Sequence, residues 1–115
     1  MNSLMNKVEK ITVGKVVSNN TGRVVLTEVD WAPPHYEIYV TVYGEEFPPV
    51  GSRVAIDFIG QWMDADRFIN VVTAVADMID KLGVPDENQR SLVNMVVRHQ
   101  MEAAHQARLE LQDQD

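Results

Sequence analysis

Residues 35–58, HYEIYVTVYGEEFPPVGSRVAIDF, decide the fold class because they contain two β-rich runs, 36–43 and 52–62, around a proline-rich loop. Side chains along a strand point alternately to opposite faces. One face of the first run therefore holds Ile38, Val40 and Val42, and the other holds Tyr39, Thr41 and Tyr43. A half-buried strand needs only one apolar face, so the tyrosine-rich face requires its own explanation.

Two further β-rich runs precede this stretch. Residues 10–18, KITVGKVVS, and residues 23–31, RVVLTEVDW, flank the turn-forming sequence NNTG, which predicts an antiparallel hairpin. Gly14 lies inside the first run, where a glycine often marks a bulge or a bend of a barrel. The sequence APPH at 32–35 ends the pairing, since proline has no N–H to donate.

The segment downstream, residues 67–83, fits either a strand or a helix. The residues Phe, Ile, Val, Val and Thr near its start favour a strand that pairs with 52–62. Apolar residues also recur at helical spacing, with Asp64 or Asp66 as N-cap and Gly83 as a helix stop. We predict a strand to about residue 73, followed by a helix to about residue 82.

The last segment predicts a long helix from about residue 86 to 110, with Pro85 and acidic residues at its start. Its first half is apolar enough to pack, whereas its second half is mostly polar and either projects into solvent or meets a second copy. The apolar strip either packs within the monomer or mediates self-association, and we predict a homodimer through Val93, Val96, Val97 and Met101.

These elements predict an α+β fold of one domain over residues 1–115, with a β-part at 10–73 and a helical part at 74–112. The β-part is expected to be a small curved antiparallel sheet or a five-stranded barrel, OB-like or SH3-like, followed by a short helix and a long C-terminal helix. Architecture of this kind does not by itself give a function.

Composition narrows the class of protein. The 115 residues include no cysteine, which excludes disulfides and thiolate metal sites. No signal-peptide-like run opens the chain, and no apolar stretch is long enough to span a membrane, so we expect a soluble cytoplasmic protein without membrane contact. The net charge of −7 is concentrated in residues 61–115, which makes that half a poor phosphate-binding surface.

The aromatic residues of the β-part are the candidate partner-binding residues. We predict a protein-binding surface built from Trp31, Tyr39, Tyr43 and Glu45, because Tyr and Trp offer large rigid contact areas. In a second interpretation the C-terminal helix covers the tyrosines and makes them core. In a third, the tyrosines stack bases with help from the cations Lys10, Lys15 and Arg23. The third interpretation is disfavoured by Glu37, Glu45 and Glu46, because their carboxylates would repel the phosphate backbone of a nucleic acid.

Metal and catalytic sites have little support. His99, Glu102 and His105 share one helix arc, but a carboxylate-bridged metal site needs two Glu-x-x-His motifs and further glutamates. Asp64 and Asp66 are interpreted as a cap and a turn residue, and His35 as a loop residue. We therefore expect no enzyme, no cofactor and no bound metal.

The sequence as a whole predicts a non-enzymatic protein-interaction module, or a small acidic adaptor or inhibitor, that acts as a homo-oligomer. Its expected partner is a protein, including a basic one that an acidic surface could steer. The alternative function is an OB-like protein that binds single-stranded nucleic acid.

Overall fold

The computed structural model describes residues 3–42, 44 and 46–112. The strands are β1 (Ile11–Ser18), β2 (Arg23–Thr27), β3 (Ile38–Thr41), β4 (Arg53–Asp57) and β5 (Trp62–Asp64), and the helices are α1 (Ala65–Leu82) and α2 (Asp86–Gln112). Short 3-10 turns lie at Ser3–Lys7 and Asn20–Gly22. The α+β class, the antiparallel sheet and the long second helix are confirmed.

The five strands form one antiparallel sheet in the order β3-β2-β1-β4-β5. The predicted hairpin of the first two strands is present, and its register shifts between Val16 and Ser18. The sheet is open, with β3 and β5 at its edges. Within the described residues β3 and β5 do not pair, so closure into a barrel is not confirmed, and the OB-like or SH3-like type stays a prediction.

Each face of the sheet has its own core. On one face, Ala55 and Met63 pack with buried residues of both helices, and Ile11 and Val13 join them partly buried. On the other face, the strands and the loops together bury Val16, Val24, Leu26, Val29, Val42, Val54, Ile56 and Trp62. The helices make their main contacts with the sheet on β4 and β5, so they cover only part of the first face.

The prediction of a strand over residues 67–73 is wrong, and so is the boundary of the β-part at residue 73. The chain is helical from Ala65 to Leu82, because Phe68, Val72, Val75 and Ile79 form a buried stripe at helical spacing that outweighs the β-propensity of individual residues. The partner of β4 is the three-residue strand β5. Asp64 occupies the N-cap position, and the left-handed Gly83 ends the helix.

The second half of α2 packs against its own sheet and does not project into solvent. Met101, Ala104 and His105 are buried, and the Gln61 amide donates to Glu102 Oε2 at 2.7 Å. The Arg108 guanidinium lies 4.0 Å from the Trp62 ring and donates to the Trp62 carbonyl oxygen at 2.8 Å. Hydrogen bonds of polar side chains therefore connect this half of the helix to β5 and to the turn before it.

Among the described residues, neither helix is both long enough and apolar enough to cross a bilayer.

Candidate functional site

Of the two predicted partner-binding residues that the structure describes, Trp31 lines a groove that Tyr39 does not line. Trp31 and Tyr39 are exposed by 64% and 62%, as expected of contact residues. Tyr39 lies opposite Val25 on the face that the helices partly cover, whereas Trp31 borders a groove together with Val40 and Thr41. Tyr43 and Glu45 lie outside the described residues.

The helices leave Tyr39 uncovered, so the interpretation that makes this face core does not hold for Tyr39. Its hydroxyl lies 3.4 Å from Glu37 Oε1, to which it donates. That contact uses the polar tip of the side chain and leaves the ring available to a ligand.

A groove of about 680 Å³ brings together the most exposed apolar side chains near the end of β4. Trp31, Phe58 and Ile59 border it and are exposed by 64%, 69% and 53%. We call it the Trp31 groove; its other lining residues are Lys10, Ile11, Thr12, Val40, Thr41 and Asp57. Apolar side chains exposed together in this way are typical of binding surfaces.

The turn after β4 positions two of these side chains. Asp57 Oδ1 accepts hydrogen bonds from the N–H groups of Ile59 (3.1 Å) and Gln61 (2.8 Å), and Gly60 has φ 90°. Continued alternation along β4 would place Phe58 on the face that buries Val54 and Ile56. Phe58 is instead exposed, because β4 ends at Asp57 and the chain reverses. The Asp-x-x-Gly spacing is the signal that could have shown this turn.

Unusual backbone conformations flank the Trp31 groove. Among the described residues other than glycine, only Lys10 (φ 61°) and Glu28 (φ 56°) have positive φ. Lys10 precedes β1 and places its Nζ 4.9 Å from the centre of the Phe58 ring, while Glu28 begins the loop that contains Trp31. Such conformations cost free energy and concentrate at functional sites, so their position supports a binding role for the groove.

A smaller cavity of about 120 Å³ lies beside the Trp31 groove and shares Lys10, Ile11, Asp57 and Phe58 with it. Burial raises the pKa of the Asp57 carboxyl, and Glu102 nearby acts in the same direction. Together these two effects outweigh the hydrogen bonds from backbone N–H groups, which stabilise the carboxylate and so lower its pKa. A raised pKa means that the folded state binds the proton more tightly than the unfolded chain does. The contribution of Asp57 to stability therefore falls as the pH rises from its ordinary pKa through the raised one.

Substitutions of Asp57 separate its turn-forming role from its charge. Asp57→Ala is expected to lower the free energy of unfolding by about 1–2 kcal/mol, because two backbone N–H groups lose their acceptor. Asp57→Asn keeps an acceptor oxygen and does not titrate, so its stability should rise relative to wild type as the pH increases through that window. Urea unfolding of the three proteins across pH tests this. Equal stability of Asp57→Ala and Asp57→Asn at every pH would contradict the role assigned to the turn.

The carboxylate pair Asp64 and Asp66 borders a different, open groove of about 730 Å³, together with Arg53, Arg67 and Ser52. The Ser52 hydroxyl donates to the Pro49 carbonyl oxygen at 2.6 Å, and no histidine is among the described residues that line the groove. The arrangement lacks a base next to a nucleophile, which acyl-transfer chemistry of the Ser-His type requires.

The two histidines of the predicted helix arc differ in exposure. His105 is buried and His99 is exposed. The described part of the chain contains no group of three or more His, Asp or Glu side chains placed to hold a metal ion.

Three of the four residues predicted to mediate assembly are core residues of the monomer. Val93, Val97 and Met101 are no more than 2% exposed and belong to the core cluster that also contains buried residues of α1 and of the sheet, and Val96 is partly buried against the same cluster. For these side chains the structure shows the packing alternative, because a second copy would find almost no surface to contact. The oligomeric state itself stays a prediction.

Comparison of the chain with protein-family models, with curated proteins and with solved structures finds no match.

Proposed function

We propose that this protein is a non-enzymatic protein-interaction module that holds an extended segment of a partner protein in the Trp31 groove. The observation behind the proposal is that Trp31, Phe58 and Ile59, each more than half exposed, border one groove. Large aromatic side chains at the centre of an interface supply most of its binding energy.

The neighbouring edge strand supports an extended partner. The Val42 N–H donates to the Gly22 carbonyl, so the antiparallel ladder directs the peptide groups of Val40 towards β2 and those of Tyr39 and Thr41 towards the free edge. Thr41 also lines the groove. A partner strand could hydrogen-bond to this edge while its apolar side chains pack on Trp31 and Phe58.

The charges favour a partner with basic residues outside the part that enters the groove. The whole chain has a net charge of −7, which would speed the approach of a basic protein. In the groove itself Lys10 and Asp57 offset each other, so contact there depends mainly on apolar side chains. An acidic adaptor or inhibitor that binds a basic protein fits this distribution of charge.

A random peptide library displayed for selection against the purified protein tests the proposal. Wild type is expected to select peptides that share an apolar pattern, and Phe58→Ala and Trp31→Ala should weaken their binding at least about tenfold, or about 1.4 kcal/mol. Both side chains are largely exposed, so the thermal stability of the variants should stay close to that of wild type.

Leu82→Ala is the matched control, since Leu82 is 71% exposed but lies at the end of α1 and is not among the lining residues of the groove. Its affinity for the selected peptides should equal that of wild type. Peptides that bind Phe58→Ala, Trp31→Ala and wild type equally would refute the proposal, as would a library that yields no binders.

A further inference from the structure

The part of the sheet that the helices leave uncovered has a different composition from the Trp31 groove. The register places Lys15, Arg53, Thr27, Val25, Arg23 and Tyr39 on one face. Lys15, Arg23, Arg53 and Tyr39 are exposed, while Val25 and Thr27 are half-buried between them. We call this surface the open sheet face.

Lys15 and Arg53 are direct cross-strand neighbours. The Val16 N–H donates to the Ser52 carbonyl, and hydrogen-bonded and non-hydrogen-bonded positions alternate along an antiparallel ladder. Lys15 and Arg53 therefore form a non-hydrogen-bonded pair, the arrangement that brings opposed side chains closest together. Two like charges at that position destabilise a sheet.

Nothing in the described part of the chain neutralises these cations. Lys7, Lys81 and Arg90 form ion pairs, whereas Lys15, Arg23 and Arg53 form none with a described residue. Asp64 and Asp66 share a groove with Arg53 but lie beyond ion-pairing distance of it. In a chain of net charge −7, three unpaired cations on one face indicate a surface for an anionic ligand.

We propose that the open sheet face binds single-stranded nucleic acid, with phosphates at Lys15, Arg53 and Arg23 and a base stacked on Tyr39. Strand spacings of about 4.8 Å and a rise of about 3.3 Å per residue put Tyr39 and Lys15 roughly 12 Å apart, a span of a few nucleotides. An aromatic ring beside a row of cations on a sheet is the arrangement that sequence-tolerant single-strand binders use. The cations and Tyr39 do not line the Trp31 groove, and the partner-strand proposal uses only the edge peptide groups of Tyr39 and not its ring. Either proposal can therefore fail without the other.

Lys10 is not part of this site, although the base-stacking interpretation of the sequence included it with Lys15 and Arg23. Its Nζ lies over the Phe58 ring, at the Trp31 groove. The carboxylate of Glu37 lies beside the stacking position, because it accepts the hydrogen bond of the Tyr39 hydroxyl. That bond runs from the edge of the ring and leaves the ring faces to a base.

Fluorescence anisotropy with labelled oligothymidylate tests the proposal on the full chain. Wild type is expected to bind at low ionic strength and to lose affinity as salt is added. The double substitution of Lys15→Gln and Arg53→Gln should reduce the slope of log K against log salt by about 1.4, because each lost phosphate contact removes about 0.7. Tyr39→Ala should weaken binding about fivefold or more.

Tyr36→Ala and Lys81→Gln are the matched controls. Tyr36 is 53% exposed but stacks edge-on against His35, and Lys81 is already paired with Asp77 on α1. Neither change should alter binding. The proposal is overturned by an absence of binding at low salt, or by an unchanged affinity when Lys15 and Arg53 are replaced. It is also overturned if Tyr39→Ala behaves like Tyr36→Ala, since the face would then attract any polyanion without stacking.

The repulsion between Lys15 and Arg53 can be measured separately, through the melting temperature at different salt concentrations. Lys15→Gln is expected to raise the melting temperature at low salt, and the increase should shrink at high salt, where the charges are screened. A melting temperature that falls or stays constant at low salt would show that the pair is not under repulsion, and the proposal would lose its main support.

Discussion

Replacing Met101 by alanine is expected to lower the free energy of unfolding by about 2–5 kcal/mol, the usual cost of truncating a large core side chain. Met101 is completely buried, and it belongs to the cluster that joins α2 to α1 and to the sheet. The cluster also contains Val93, Val97 and Ala104 of α2, so one face of this helix completes the core. Urea unfolding followed by circular dichroism measures the loss.

Met95→Ala is the control, because Met95 lies in the same helix with 61% of its surface exposed. Its effect should stay within about 0.5 kcal/mol. The pair of variants also distinguishes the two interpretations of the helix. If Met101 served an interface between copies, its replacement would change the sedimentation behaviour or the concentration dependence of the melting temperature while the monomer kept its stability. That result would contradict the core assignment.

Fold class was accessible from the sequence because it depends on patterns that repeat within short segments. The alternation in residues 11–18, 23–27 and 38–41 predicts strands, and the turn-forming sequence at 19–22 joins the first two. The strand prediction for residues 67–73 is wrong because the β-branched residues of this segment have strand propensity while their spacing fits a helix. The segment is helical because burying an apolar stripe along an 18-residue helix stabilises the fold more than the strand propensity of a few residues does.

The candidate site was predictable only in part. Trp31 stood out as a large aromatic beside a proline-rich loop, and the structure leaves it exposed. Phe58 did not stand out, because its exposure depends on β4 ending one residue earlier. The grouping of Trp31 with Phe58 and Ile59 joins positions 27 or more residues apart in the chain. The separation of Tyr39 from Trp31 likewise depends on the three-dimensional course of the loop between them, which periodicity does not encode.

Gly14→Ala is expected to destabilise the protein by about 1–3 kcal/mol through overpacking. A Cβ atom added at this position would lie 2.9 Å from Val29 Cγ2, 3.0 Å from the Thr27 carbonyl oxygen and 3.2 Å from Leu26 Cβ. The sequence associated Gly14 with a bulge or a bend, but the register shift lies at Val16 to Ser18. What Gly14 provides is room for the end of β2 and for Val29 to approach β1.

A double-mutant cycle with Val29→Ala tests this explanation, because Val29→Ala removes the nearest atom and leaves the Thr27 carbonyl in place. The cost of Gly14→Ala should shrink by at least about 0.5 kcal/mol in that background. Equal costs in the two backgrounds would assign the strain to the backbone of β2 alone.

Val29 lies two residues before Trp31, so a displaced Val29 should also shift the loop that forms one wall of the Trp31 groove. Gly14→Ala is therefore expected to weaken binding of the selected peptides even where the protein remains folded, and an unchanged affinity would show that the loop is held independently of this contact.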